Sequence, residues 1–431
     1  MRKSLLPVPP VAAVRPRISE IHGDRRVDDY AWLRAKEDPE VLAHLAAENA
    51  YTKAMMRPSE PLQRSLYREM VARIKETDMG VPYRDGEWLY YSRTTRGRQY
   101  AVYCRRKGSM RSKEQVVLDM NQLAKGQSYL GLGAMDVSPD GNRLAFSTDF
   151  SGFREYTLRV KDLVTGEVLP LAIEKTRSVA WAADCETIFY VTEDDAKRAS
   201  RVWRHRLGTD DHALVYEESD VRFSVGVDLS RSLGYLMITS HSATASEVRC
   251  LRADHPEDTP RLVVARRAEH EYYLYHHGTH FYIVTNDRGR NFRLVRTPVD
   301  DCGEKRWEEI VAHRDDTMLE GVDVFARHLV LHERSGGFPR FAIMRIADGE
   351  RHDMEFPEPA YSAFAGANEE FDTDVFRFAY ESFVTPDSVY DYDMQTRERT
   401  LLKRFEVMGG YDPAKYRTEL AYARAADGTE V

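Results

Sequence analysis

The sequence predicts an all-β chain, a seven-bladed β-propeller preceded by a short helical arm. Three observations point there. A short apolar run recurs seven times at near-constant spacing. A tight-turn signal stands just before most copies of it. Residues 1–76 lack the repeat and show helical spacing instead. Repeats of about 45 residues are the size of one propeller blade.

The apolar runs begin at Trp88, Leu144, Ile188, Tyr235, Phe281, Leu329 and Phe376. From Leu144 onward the intervals are 44 to 48 residues; the first is 56, which leaves room for an insertion around Gln115 to Tyr129. The preceding turns read RDGE at Arg84, PDGN at Pro139, ADCE at Ala183, SRSL at Ser230 and HHGT at His276. The sixth and seventh copies, FARH and NEEF, lack glycine. Several copies continue through a polar break into further strands. In 156–162, Tyr156, Leu158 and Val160 alternate with Thr157, Arg159 and Lys161, which is strand period. Each unit therefore reads as about four short strands, and seven units close a ring.

Before the repeat, Asp38 is an N-cap signal with Pro39 at the first helical position. A second helix is expected over 61–74, where Leu62, Leu66, Met70 and Ile74 recur every fourth residue. Their apolar faces need a surface to cover. At the far end, TELAYARAADGTEV (418–431) reads as a hairpin turning at Asp427-Gly428, with the sequence stopping on its second strand. That suggests the threshold of a further domain.

The 431 residues are 42% apolar and 11% aromatic, enough for large pleated surfaces. The net charge is −8 and no Lys/Arg block stands out, which argues against nucleic acid. Cys104, Cys185, Cys250 and Cys302 are far apart and form no CxxC, so neither a zinc site nor a disulfide framework is expected. The N-terminus begins basic, but Pro7, Pro9, Pro10 and Arg15 break any signal-peptide core. No stretch approaches 18 apolar residues, so no membrane span is expected and the cytoplasm is the default.

Catalytic motifs are missing. No GxSxG elbow, P-loop or GxGxxG follows a strand. His270, His276, His277 and His280 crowd one stretch, but adjacent strand residues face opposite ways. They are expected to be solvated loop histidines, with no metal and no cofactor. TEDDAKR (192–198) is expected to be a solvated blade loop. Taken alone, these residues describe a binding or gating module.

IHGDRRVDDYAWLR (21–34) and DPEVLAHLAAENAY resemble the N-terminal signature of the prolyl oligopeptidase family. VWRHRLGT (202–209), SATASEVRCL (242–251), RRAEHEYYL (266–274), NDRGRNFRL (286–294), MLEGVDVF (318–325) and TPDSVYDYDMQTRERTLLKRFEV (385–407) are similar to its oligopeptidase B branch. The resemblance runs over essentially the whole chain. It implies a cytoplasmic serine endopeptidase that cuts short peptides after Lys or Arg. It also implies a propeller set into an α/β-hydrolase domain. On that basis residues 1–76 are an arm that packs on the hydrolase domain, 77–415 the propeller, and 416–431 the start of that domain. The family's Ser, Asp and His fall outside this chain, so no catalytic residue is assigned and the chain alone is expected to be inactive. Its partners would be a hydrolase domain, in cis or on a complementing chain, and through it short basic peptides.

Glu155, in DFSGFREYTLRV, resembles a blade-two carboxylate that in some relatives pairs with a hydrolase-domain arginine on closure. The plainer expectation is a surface glutamate beside Arg154. His22, Asp24 and Arg25 match a family motif, expected to fix the path of the arm. Met408 stands where the family usually has proline. The competing reading of the whole chain is a free-standing propeller that binds a partner, or a pseudoenzyme. Apolar helices such as 61–74 argue against it, since a self-sufficient propeller has no use for them.

Overall fold

The N-terminal segment opens with a hairpin of Arg17–Ile21 on Asp24–Asp28. His22 and Gly23 form its two-residue turn with φ of 53° and 78°, the left-handed pair that such hairpins require. In the computed structural model, which describes residues 7–431, the chain divides into two units, Met1–Lys75 and Glu76–Val431. The first unit continues with helix α1 (Pro39–Met56). The Asp38 carboxylate accepts its Glu40 amide at 2.8 Å, as the N-cap signal predicts. A single turn, Arg57–Ser59, leads directly into helix α2 (Glu60–Ala72). The two expected helices are therefore almost one rod. Leu62, Leu66, Met70 and Ile74 are all exposed, so the apolar stripe that makes α2 amphipathic lies uncovered.

The second unit is a ring of seven antiparallel sheets, each built from consecutive strands. Blade one spans 83–119, blade two 131–173, blade three 176–217, blade four 224–264, blade five 272–311, blade six 317–353 and blade seven 361–404. All seven apolar runs are the second strands of their blades. The turn signals lie between first and second strands, all at one face of the ring. The ends of the ring segment, near Asp78 and Lys403, lie at the opposite face.

The core sits between blades. Clusters join blades one and two, two and three, three and four, four and five, five and six, and six and seven. Trp181, Phe189, Phe281, Phe376 and Phe378 are fully buried there. Each such side chain contributes about 1.5–3 kcal/mol, so truncating Phe281 to alanine should cost about 3–5 kcal/mol. The strands alternate because each sheet packs on two neighbours.

Three expectations are corrected. The insertion in the first interval does not begin at Gln115, because Glu114–Asp119 is the fourth strand of blade one. The extra residues are a short helix, Met120–Leu123, and its exit turn. Blade two has three full strands; its fourth is reduced to two isolated bridges, Leu158 to Ile173 and Lys161 to Val168. Third, 192–198 is not wholly solvated, since Glu193 is buried against Arg177 at 2.8 Å. At the far end, Ala423 and Val431 exchange 2.8 Å backbone bonds around the Asp427-Gly428 turn, so the expected hairpin forms.

Candidate functional site

The innermost strands run from the face where the chain joins the ring toward the turn face. Asp136, Asp228 and Asp323 stand one residue before the end of this strand in blades two, four and six. Asp85 ends that of blade one. Their carboxylates gather at the turn end of the central channel. Cavities of about 250 to 510 Å³ open there, and Glu369 of blade seven lies in the walls of four of them.

Burial sets the charge state of this chamber. It pushes Asp136 up to about 7; the bond from the Trp181 backbone opposes this, and the charges of Asp85, Glu369 and Asp228 add to it. Burial also raises Asp85, with Glu370 adding, and raises Asp228. Glu369 rises through burial and Asp85, against Arg231. Asp323 goes the other way. Burial would lift it, but bonds with His332, at 2.8 Å, and Arg231 outweigh that and hold it low. Among the described residues no His/Cys/Asp/Glu group is placed to hold a metal.

The histidine stretch is dispersed rather than solvated, which corrects that expectation. His270 is buried, with Nε2 3.0 Å from the Thr285 hydroxyl. His276 Nδ1 lies 2.6 Å from the Ser232 hydroxyl, and His277 Nε2 2.9 Å from the Ala326 carbonyl. Each has its own partner because strand and turn geometry point them apart.

Glu155 lies in the loop before the third strand of blade two (Thr157–Asp162), not in a strand. Asp149 shapes that loop. Burial raises its carboxyl, but bonds from Ser151 and from the Arg154 amide at 2.8 Å outweigh this and hold it low. Arg154 takes φ 61° after Gly152 at 78°. This turns Glu155 toward blade three, where its carboxylate meets the Lys197 ammonium at 3.2 Å. Lys197 also donates to the Phe153 carbonyl at 2.5 Å. Glu155 is thus a cross-blade ion-pair partner on a half-exposed loop. His22 makes the hairpin turn, and Asp24 accepts a bond from Arg26 at 2.7 Å. Sequence reasoning missed Asp149, Lys197 and the chamber acids. The acids carried a signal, since Asp136, Asp228 and Asp323 recur at the period of two blades.

The family profile described as "Prolyl oligopeptidase, N-terminal beta-propeller domain" matches residues 9–404. The chain belongs to the prolyl oligopeptidase family. Within the family it is 39% identical to dipeptidyl aminopeptidase BI of Pseudoxanthomonas mexicana, over 97% of this chain and 61% of that protein. It is 32% identical to protease 2 of Moraxella lacunata, over 98% and 62%. Oligopeptidase B from Leishmania major superposes with a TM-score of 0.90 at 29% identity, covering 98% of this chain and 64% of that one. The antipain-bound closed form from Trypanosoma brucei gives 0.89 at 31%, covering 98% and 64%. The chain thus spans about three-fifths of the length of these relatives, and corresponds to their N-terminal propeller part.

Proposed function

We propose that this chain is the gating portion of an oligopeptidase-B-like serine endopeptidase that cleaves short peptides after Lys or Arg. The observation that carries the reading is a channelled seven-blade ring with high likeness to oligopeptidase B over its whole length. A ring with a narrow, acid-walled channel admits small cationic chains and excludes folded ones. Gating of that kind restricts a site by size without touching its chemistry. In this reading 1–76 and 416–431 pack with the hydrolase domain, and Glu155 exchanges Lys197 for a cation of that domain on closure. Four unpaired cysteines suit a reducing, cytoplasmic setting. No helix among the described residues is long and apolar enough to cross a membrane.

The 39% identity to a dipeptidyl aminopeptidase favours a second reading, removal of dipeptides from free N-termini. The two separate in one experiment on the enzyme expressed from the natural locus. Blocked reporters ending in Arg, Lys or Ala are compared with free dipeptide reporters. Cleavage of blocked Arg and Lys reporters alone supports the endopeptidase; cleavage of only the free dipeptides overturns it. For gating, this chain is joined to a relative's catalytic domain and given an octapeptide and a folded protein carrying the same sequence. Equal turnover of both overturns the gate. The chain by itself should hydrolyse neither.

A further inference from the structure

The turns between first and second strands are brief in most blades and long in blade seven. Blades one and five turn in two residues, Gly86-Glu87 and Gly278-Thr279. Blade seven places residues 366–374 between Tyr361–Ala365 and Val375–Ser382. Ala367, Glu369 and Asp372 are exposed, but the loop is pinned at several points. Asn368 pins its start, its side-chain carbonyl accepting the Arg377 amide at 2.7 Å and its side-chain amide donating to the Arg377 carbonyl at 2.9 Å. Glu370 accepts the Gly86 amide of blade one at 2.6 Å. The very next residue is fastened on the other side of blade seven. Phe371 packs on the apolar cluster between blades five and six, 5.6 Å from His277. Its carbonyl accepts the Ala326 amide of blade six at 2.9 Å. Arg327 then holds Asp372 at 2.5 Å and Asp374 at 2.8 Å.

Between these anchors Glu369 projects among the channel acids. It shares cavity walls with Asp85 of blade one, Asp136 of blade two and Asp228 of blade four. A second span lies beside it. Arg231, on the turn of blade four, skips blade five and pairs with Asp323 of blade six, its guanidinium 4.7 Å from the Phe325 ring. It spans as many blades as the blade-seven loop, whose Phe371 reaches His277 of blade five.

We propose that loop 366–374 is a stopper across the turn-side mouth, with the Arg231–Asp323 pair as its crossbar. The channel is then a blind chamber, filled and emptied from the opposite face. A gate of the kind proposed above would then be entered from the opposite face only, while the labelling test reads the propeller alone, whatever the outcome for the peptidase reading.

The test places a cysteine at either end of one innermost strand, Asp228→Cys near the turn face and Ser224→Cys near the opposite face. Both are made in a Cys185→Ser background, the other native cysteines being buried. Labelling by a polyethylene-glycol maleimide is followed in the full chain, with the loop intact and with Glu369–Thr373 replaced by Gly-Gly. Shortening the loop should speed labelling at Asp228→Cys about tenfold or more and leave Ser224→Cys within about twofold. Unchanged labelling at Asp228→Cys overturns the stopper. Equal acceleration at both sites also overturns it, because the loop would then merely brace the ring. Should the shortened chain fail to fold, the double variant Glu370→Ala, Phe371→Ala removes the acceptor of the Gly86 amide and the apolar plug at full length and is read the same way.

Discussion

The Lys403 ammonium, at the end of blade seven, lies 2.5 Å from the Asp78 carboxylate at the threshold of blade one, 325 residues earlier. It also donates to the Met79 carbonyl at 2.5 Å. Nearby, Arg377 donates to the Pro82 carbonyl at 2.7 Å. With the Glu370–Gly86 bond, these polar contacts cross the seam between the last blade and the first. The other six blade junctions each hold a buried apolar cluster; among the described residues none joins blade seven to blade one.

Lys403→Met should therefore weaken the seam selectively. Both partners are about 30% exposed, so the loss is on the order of 1–2 kcal/mol. Hydrogen exchange should quicken in blades one and seven and hold steady in blades three and four. Uniform quickening around the ring would refute a local seam.

Cys185 and Leu233 sit where blade two has Gly141. All three donate their amide to the carbonyl three residues back, and their φ values are 57°, 57° and 72°. Left-handed backbone strains a residue with a Cβ. Cys185→Gly and Leu233→Gly should each stabilise the ring, by about 0.5–1 kcal/mol. Gly141→Ala should destabilise it by at least as much, since its new Cβ would come 3.0 Å from the Trp88 indole nitrogen. Denaturant midpoints of the three variants decide the matter.

Asp136 makes stability fall as pH rises. Its carboxyl titrates near 7 when folded and near 3.8 when unfolded, so the folded chain favours the protonated form. The stability tied to that proton is complete below about 3.8 and is lost through about 7. Asp136→Asn removes the dependence. Its gain in unfolding free energy should be largest at pH 8, on the order of 2 kcal/mol, and vanish toward pH 4. A gain independent of pH would mean that packing, not charge, is responsible.

Glu155→Gln should hardly change the stability of the chain alone, because an exposed pair is worth about 0–1 kcal/mol. In the chimera with a catalytic domain it should raise KM for the octapeptide. If the lone chain loses as much stability as the chimera, Glu155 serves only its bond to Lys197. No change in either assay would leave it a solvated charge.

The ring was legible because its apolar runs, from Trp88 to Phe376, recur at blade spacing, and each is a second strand. Asp38 declared α1 by local chemistry alone. What escaped depends on distance. Nothing near Glu155 in sequence announces Lys197, and NEEF, with no glycine, read only as a weak copy of a turn. The histidines misled for a related reason. Their crowding in sequence says nothing of the divergent directions that a strand imposes.

Every blade is built from strands that follow one another in sequence. Each sheet can therefore form from local hairpins as the chain leaves the ribosome, without waiting for a distant segment. Synthesis lays the blades down in order, and each new one finds the exposed apolar flank of its predecessor. Only the meeting of the last blade with the first spans the whole ring, which makes annealing of that polar joint the natural final step of maturation.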